Sequence, residues 1–404
     1  MKKLIFLGIV FLFMACPPTA KNAARIYIQQ GEYEAAKEQI LAGLESAPND
    51  FEYYVLLAKV ETGLTNWLAA SEAFLRGVAV DSAKTVNWLI SDKQNVPVYW
   101  QALYNAAITL MSEKRYDEAL QNLFYCEILD PDNVSEYILE GGIYSELGQK
   151  EKANAAYAKA LARDPENPEA YFLIGKAVFE RGEYDSSLVT LNEAVKFFKK
   201  RHDRTMRVIF QNLPEVDEQL TREIYRLWGA KKEDELDELV RVRLGFDGGL
   251  DAQRRTIEQY FKTADGLART YYYIGMAHYN LRNDSLALEN LMKSLDIKDD
   301  DIDALYYAGE INLKYKKYDK SISHFKKITE VKEDDTYAWF YIGVNYTQKK
   351  EYPKAVDIYE NKVLVYDPEN VDAMINLAYV YREMGNNKKA LEWLTKAEKL
   401  QKEQ

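Results

Sequence analysis

Cysteine and histidine are scarce in this chain, two and three among 404 residues. Two cysteines, Cys16 and Cys126, allow at most one disulfide. The histidines, His202, His278 and His324, lie far apart in the sequence and form no metal-ligand spacing. HExxH, a paired CxxC, a phosphate-binding glycine loop and GxSxG are all missing. No residue is therefore assigned to catalysis, to a cofactor or to a metal. A basic excess is missing as well: the formal charge is −11 and the pI about 5.1. Nucleic-acid binding needs many Lys and Arg contacts to phosphate, so no nucleic-acid partner is expected. Apolar runs are short, the longest being the twelve residues from Leu4 to Ala15. That run cannot cross a bilayer as a stable helix.

The run does have the length of a signal-peptide core, and Lys2 and Lys3 supply the basic region before it. Phe13-Met14-Ala15-Cys16 resembles a bacterial lipobox, in which a small residue precedes a cysteine that is acylated and becomes the new N-terminus. Phe13 stands where leucine is usual, and Met14 is also atypical. The resemblance implies a leader over 1–15, lipidation of Cys16 and a membrane lipoprotein exposed outside the cytoplasm. Residue 17 is proline rather than aspartate, which implies the periplasmic face of the outer membrane if the cell is diderm. Cleavage by an ordinary signal peptidase after Ala20, with Cys16 discarded, is the alternative. With Cys16 lipidated, Cys126 has no disulfide partner.

The rest of the chain is built on one pattern, clearest from Val134 to Asn167. Tyr137, Gly141 and Tyr144 share one helix face, and Ala153, Tyr157 and Ala160 share another. Gly148 supplies the turn between them, and Asp164-Pro165 stops the second helix. Gly141, Ala153 and Ala160 are small where two helices must approach, and Tyr157 fills the space between them. This helix–turn–helix of 34 residues resembles a tetratricopeptide repeat. The resemblance implies an all-α fold, an α-solenoid of stacked helix pairs.

The pattern recurs in register. Repeats 1 and 2 occupy 16–84, repeats 3 to 5 occupy 100–201, and repeats 6 to 9 occupy 268–404. In repeat 3, Cys126 takes the slot that Ala160 fills in repeat 4, as a small buried apolar residue. Repeat 8 carries one extra residue before Pro368. Between the blocks, 85–99 is read as an insertion loop with a short helical turn, because Pro97 opposes a continuous helix. Trp88 is expected to pack down on neighbouring helices. Over 202–267 the signature fails while helical spacing persists. These residues are read as two decayed repeats that continue the stack, with a hinge-like insertion as the alternative. The cationic run Lys199, Lys200, Arg201, Arg204 and Arg207 at its head reads as a solvated helix face. Asp299, Asp300, Asp301 and Asp303, at a repeat junction, read as helix caps.

In the family the first helices of the pairs line a concave groove. Carried onto this chain, the groove residues are Tyr272, Tyr273, Tyr279, Tyr306, Tyr307, Phe340, Tyr341 and Tyr379. Tyrosine offers rigid apolar area and a hydroxyl at little entropic cost, which suits a peptide or a partner's loop. The alternative is that these rings pack between repeats. The expected function is a lipid-anchored scaffold for protein–protein interaction in the bacterial envelope, in an assembly or secretion complex. Its partners would be another envelope protein or peptide and, through the anchor, the membrane. A binding protein that uses the aromatic groove for a glycan or small ligand is the other reading.

Overall fold

The computed structural model describes residues 19–213 and 218–403. The leader 1–15 and Cys16 lie outside the described residues. Every element in the described part is a helix, and none of these helices is long and apolar enough to cross a membrane. The chain divides into two compact bodies, up to Pro165 and from Glu166 onward.

In the N-terminal body α1 (Ala20–Gln30) pairs with α2 (Tyr33–Ser46), and α3 (Phe51–Gly63) with α4 (Trp67–Val80). After α5 (Ser82–Ser91), α6 (Val96–Ser112) pairs with α7 (Tyr116–Leu129), and α8 (Ser135–Glu146) with α9 (Lys150–Arg163). The C-terminal body begins with α10 (Pro168–Glu180), α11 (Tyr184–Ile209), α12 (Glu218–Gly229), α13 (Glu233–Val242) and α14 (Gly249–Asn280). It continues with α15 (Asp284–Ile297), α16 (Ile302–Lys314), α17 (Tyr318–Val331) and α18 (Thr336–Gln348). The second helix of repeat 8, α19, starts at Tyr352–Ile358, passes through a π turn at Tyr359–Val363 and ends at Leu364–Tyr366; α20 (Val371–Glu383) and α21 (Asn387–Glu403) follow.

One turn chemistry joins the pairs. A single residue adopts a left-handed backbone, as at Gly148 (φ 69°), and closes the first helix. Its N–H donates to the Ser145 carbonyl (3.0 Å), and the N–H of Gln149 reaches Tyr144 (2.8 Å). This double bond satisfies carbonyls that a helix end otherwise leaves open. Several first helices start at a polar N-cap. Asn167 accepts from Ala170 N–H, Asp301 from Ala304 and Asp335 from Ala338.

Packing follows the small–aromatic pattern. A Cβ placed on Gly141 would lie 2.3 Å from the Tyr157 ring, and one on Gly343 would lie 2.5 Å from Tyr359. Those rings are buried to 1% and 0% exposure, so glycine is what lets each helix pair close on them. Where serine holds the small slot, its hydroxyl donates to the facing helix, as Ser321 does to the Gly309 carbonyl (2.9 Å). Cys126 is fully buried in its slot.

Two readings from the sequence are corrected. The segment 85–99 is no loop: α5 covers its first half and α6 begins at Val96, and α5 is capped by Asp81, whose side chain accepts from Lys84 N–H. Pro97 lies in the first turn of α6, where a missing N–H costs nothing. Leu89 is buried and Trp88 packs beside it, its ring 6.3 Å from Tyr99.

Nor does 202–267 hold two further repeats. The left-handed turn that joins α12 to α13, at Lys231, lies 49 residues after the one at Gly182 and 51 before the one at Arg282. Among the described residues a single helix pair, α12 with α13, occupies the interval, and 202–209 and 249–267 lengthen the flanking helices. α11 reaches 26 residues and α14 reaches 32. The two lie side by side: a Cβ on Gly266 would meet Phe198 at 2.3 Å, and the His202 and Tyr260 rings stack at 4.9 Å. Phe172, Leu191, Phe198 and Tyr271 share one core across the junction, so α11 and the C-terminal half of α14 continue the repeat packing. The inserted pair has its own core, in which Leu220, Ile224, Leu236 and Val240 meet Ile209 and Ile257.

Candidate functional site

Three first helices of the C-terminal body, α14, α16 and α18, carry an aromatic strip. Tyr279 meets Tyr307 edge-on at 5.2 Å, and Tyr306 meets Tyr337 at 5.2 Å. Tyr337 lies 4.7 Å from Tyr341, one helical turn along α18, and Tyr341 touches Phe340 at 5.6 Å. The rings thus bridge one repeat to the next.

The eight residues expected to line the groove divide by what they touch. Tyr272, Tyr279, Tyr306, Tyr307 and Tyr341 are half-buried against the core of the central repeats. Tyr273 packs on the preceding core beside Phe172 and Phe179. Phe340 sits over the last core, near Tyr359. Tyr341 stacks nearly parallel on Phe325, with ring centroids 5.1 Å apart. Tyr306 donates to the carboxylate of Asp335, the residue that caps α18. Burial, then that carboxylate, push its phenol up. Tyr306 is thereby a strut between repeats as well as a surface ring. Tyr379, on α20, is 42% exposed, and the Arg382 guanidinium lies 5.2 Å from its ring.

The most exposed ring of the strip is one the sequence reading passed over. Tyr337 is 47% exposed. Its hydroxyl donates to Glu310 Oε1 at 3.0 Å and lies 3.1 Å from the Tyr341 hydroxyl. Burial of the oxygen, then these bonds, raise the phenol's pKa. Tyr337 is the second residue of α18, one turn before Tyr341. That spacing was the available signal.

The arrangement offers apolar ring faces and a hydroxyl–carboxylate row, suited to recognition. Two members of the acidic cluster noted in the sequence have structural partners. Asp301 caps α16, and Asp299 pairs with Lys327 at 3.1 Å. Lys199, Lys200, Arg204 and Arg207 lie exposed along α11. Among the described residues, no group of three or more His, Cys, Asp or Glu is placed to hold a metal.

Three stretches match models of tetratricopeptide repeats: residues 22–50, 139–200 and 359–392. A curated relative, the BBSome complex member BBS4 of Bos taurus, is 25% identical over 192 residues, 43% of this chain. The match spans 37% of that relative's length. Among solved structures, YrrB, a TPR protein with an unusual peptide-binding site, is 18% identical with a TM-score of 0.42. The match covers 61% of this chain and 92% of YrrB. MamA from Desulfovibrio magneticus RS-1 is 20% identical with a TM-score of 0.33, covering 46% of this chain and 96% of its own. The matched stretches are tetratricopeptide repeats, and the fold is an all-α solenoid of helix pairs. Repeats of this kind build scaffolds that bind other proteins or peptides, and none of the three family models is enzymatic.

Proposed function

We propose that this chain is a lipid-anchored scaffold that holds another envelope protein or peptide against the first-helix face of its C-terminal body. The observation that carries the reading is Tyr337: a large ring nearly half exposed, yet fixed by Glu310 and Tyr341. A ring already held in place loses little freedom on binding, and such aromatic anchors dominate interface energies. The lipobox resemblance around Cys16 adds the anchor. The site of action is then the outside of the cytoplasmic membrane or, in a diderm cell, the periplasmic face of the outer membrane. Service in an assembly or secretion complex follows from family analogy.

The test is purification of crosslinked complexes from native membranes, comparing wild type, Cys16→Ser and Tyr337→Ala/Tyr379→Ala. Both tyrosines are exposed, so the double variant keeps its fold. One recurrent partner, weakened by the anchor variant and bound about 2 kcal/mol less tightly by the double variant, is expected. Binding of soluble glycans by the isolated protein, lost in the double variant and with no protein partner, would assign the face to a sugar instead.

A further inference from the structure

A second recognition surface lies on other helices. The inserted helix α12 stands over α15 and α17, second helices of their repeats, and encloses a cleft of about 990 Å³. Ligand clefts span roughly 300–1,000 Å³, so this is a large one. A smaller cavity of about 250 Å³ adjoins it, and the two share Met292, Ser323 and His324 as lining. Together they form a groove over two repeats, and none of the strip's tyrosines lines it.

Its charged lining holds five cations and four carboxylates, a slight cationic excess in an acidic chain. Arg226 lines the α12 end, and Lys317 and Lys320 line the other. Of the acidic residues in the larger cavity, Glu223 is already met by Arg243 at 2.7 Å and Asp299 by Lys327 at 3.1 Å. Asp296 and Asp300 remain, both on one wall. With Glu223 and Asp299 paired, Arg226, Lys317 and Lys320 outnumber Asp296 and Asp300, a balance that favours an anionic group. The walls between them are apolar: Met292 is 37% exposed, and Tyr225 and Leu288 are half-buried. At the shared border His324 is held down to about 4 by burial and by Lys327 and Lys320, so its imidazole is neutral near pH 7. A neutral imidazole can both donate and accept, which suits a peptide amide.

We propose that this groove binds an acidic, amphipathic peptide segment of a protein partner. Carboxylates would meet Arg226, Lys317 and Lys320, and apolar side chains would meet Met292, Leu288 and Tyr225. A nucleic acid or other uniform polyanion fits less well, because Asp296 and Asp300 would repel it and the apolar walls would go unused. The segment engaged here is distinct from the one at Tyr337, so one chain can grip a partner at two places or hold two partners.

The full-length chain in detergent, titrated with two labelled peptides, tests this. One alternates Asp and Glu with Leu and Phe; the other replaces its acids by Lys. The acidic peptide should bind, with affinity falling as salt is added. Arg226→Glu/Lys320→Glu should weaken it at least tenfold with helical content unchanged, whereas Tyr337→Ala should leave it unaltered. Absence of binding, equal binding of the basic peptide, or indifference to the double reversal overturns the assignment. So does concentration-dependent self-association abolished by the same reversal, which would give the groove to a second copy of this chain.

Discussion

Glu136 is the residue whose surroundings conflict most with its chemistry. It is 1% exposed, and no other residue hydrogen-bonds its carboxyl oxygens. Burial pushes its pKa up to about 7 from 4.5; its own backbone N–H opposes the shift, Asp130 and Glu127 add repulsion, and Arg163 lowers it. Cys126 and Tyr137 are its other titratable neighbours, both driven up by burial. A folded pKa above the unfolded one means the protonated form is favoured by folding. The stabilisation is complete below about pH 4.5 and is lost as pH rises through about 7. The loss is about 3 kcal/mol at most. Urea midpoints at pH 5 and pH 8 should show wild type falling behind Glu136→Gln only at the higher pH. An equal difference at both would mean that the carboxyl stays solvated. At the same scale, the Tyr337→Ala/Tyr379→Ala pair should cost a partner about 2 kcal/mol without altering the melting temperature.

Among the elements, α19 is the irregular one. The extra residue of repeat 8 is taken up by its π turn, Tyr359–Val363. There the buried Tyr359 and Val363 stand four apart, where the equivalent Phe325 and Ile328 of α17 stand three apart. A one-residue insertion in a helix is commonly absorbed in this way. Deleting Asn361, an exposed residue bonded only to Asp357 in its own helix, should restore the three-residue spacing. The expected outcome is a folded protein of equal or higher melting temperature. A drop of several degrees would mean that the π turn is itself required.

The elements also show what was legible in the sequence. Left-handed turns, polar caps and the Gly141–Tyr157 type of contact are local chemistry, and their residues name them. Helix α5 was hidden because Pro97 reads as a breaker until its place in the first turn of α6 is known. The lengths of α11 and α14 were hidden for a different reason. A 3.6-residue period reports that a face is buried, not what covers it, so two lengthened helices and two decayed repeats look alike. Tyr337 stands one turn before Tyr341, but its exposure is set by neighbours in the adjacent repeat, Glu310 and Tyr306, which no single helix reveals.

For the molecule as a whole, the repeats leave two faces of the C-terminal body with distinct chemistry. First helices present tyrosine rings with a carboxylate row. Second helices, under the inserted pair, present a groove with cations at its ends. The Arg226→Glu/Lys320→Glu variant and the tyrosine variant should therefore act independently on binding, since their sites share no residues.

The most direct test of the central claim is site-specific photocrosslinking in the native cell. A photoreactive phenylalanine analogue replaces Tyr337, keeping the ring, and in a second strain replaces Val189, which is 72% exposed on the second helix α11. The account predicts one discrete protein adduct from position 337 and none at that mass from position 189. No adduct from 337, or the same adducts from both positions, would contradict the claim that the first-helix face holds the partner.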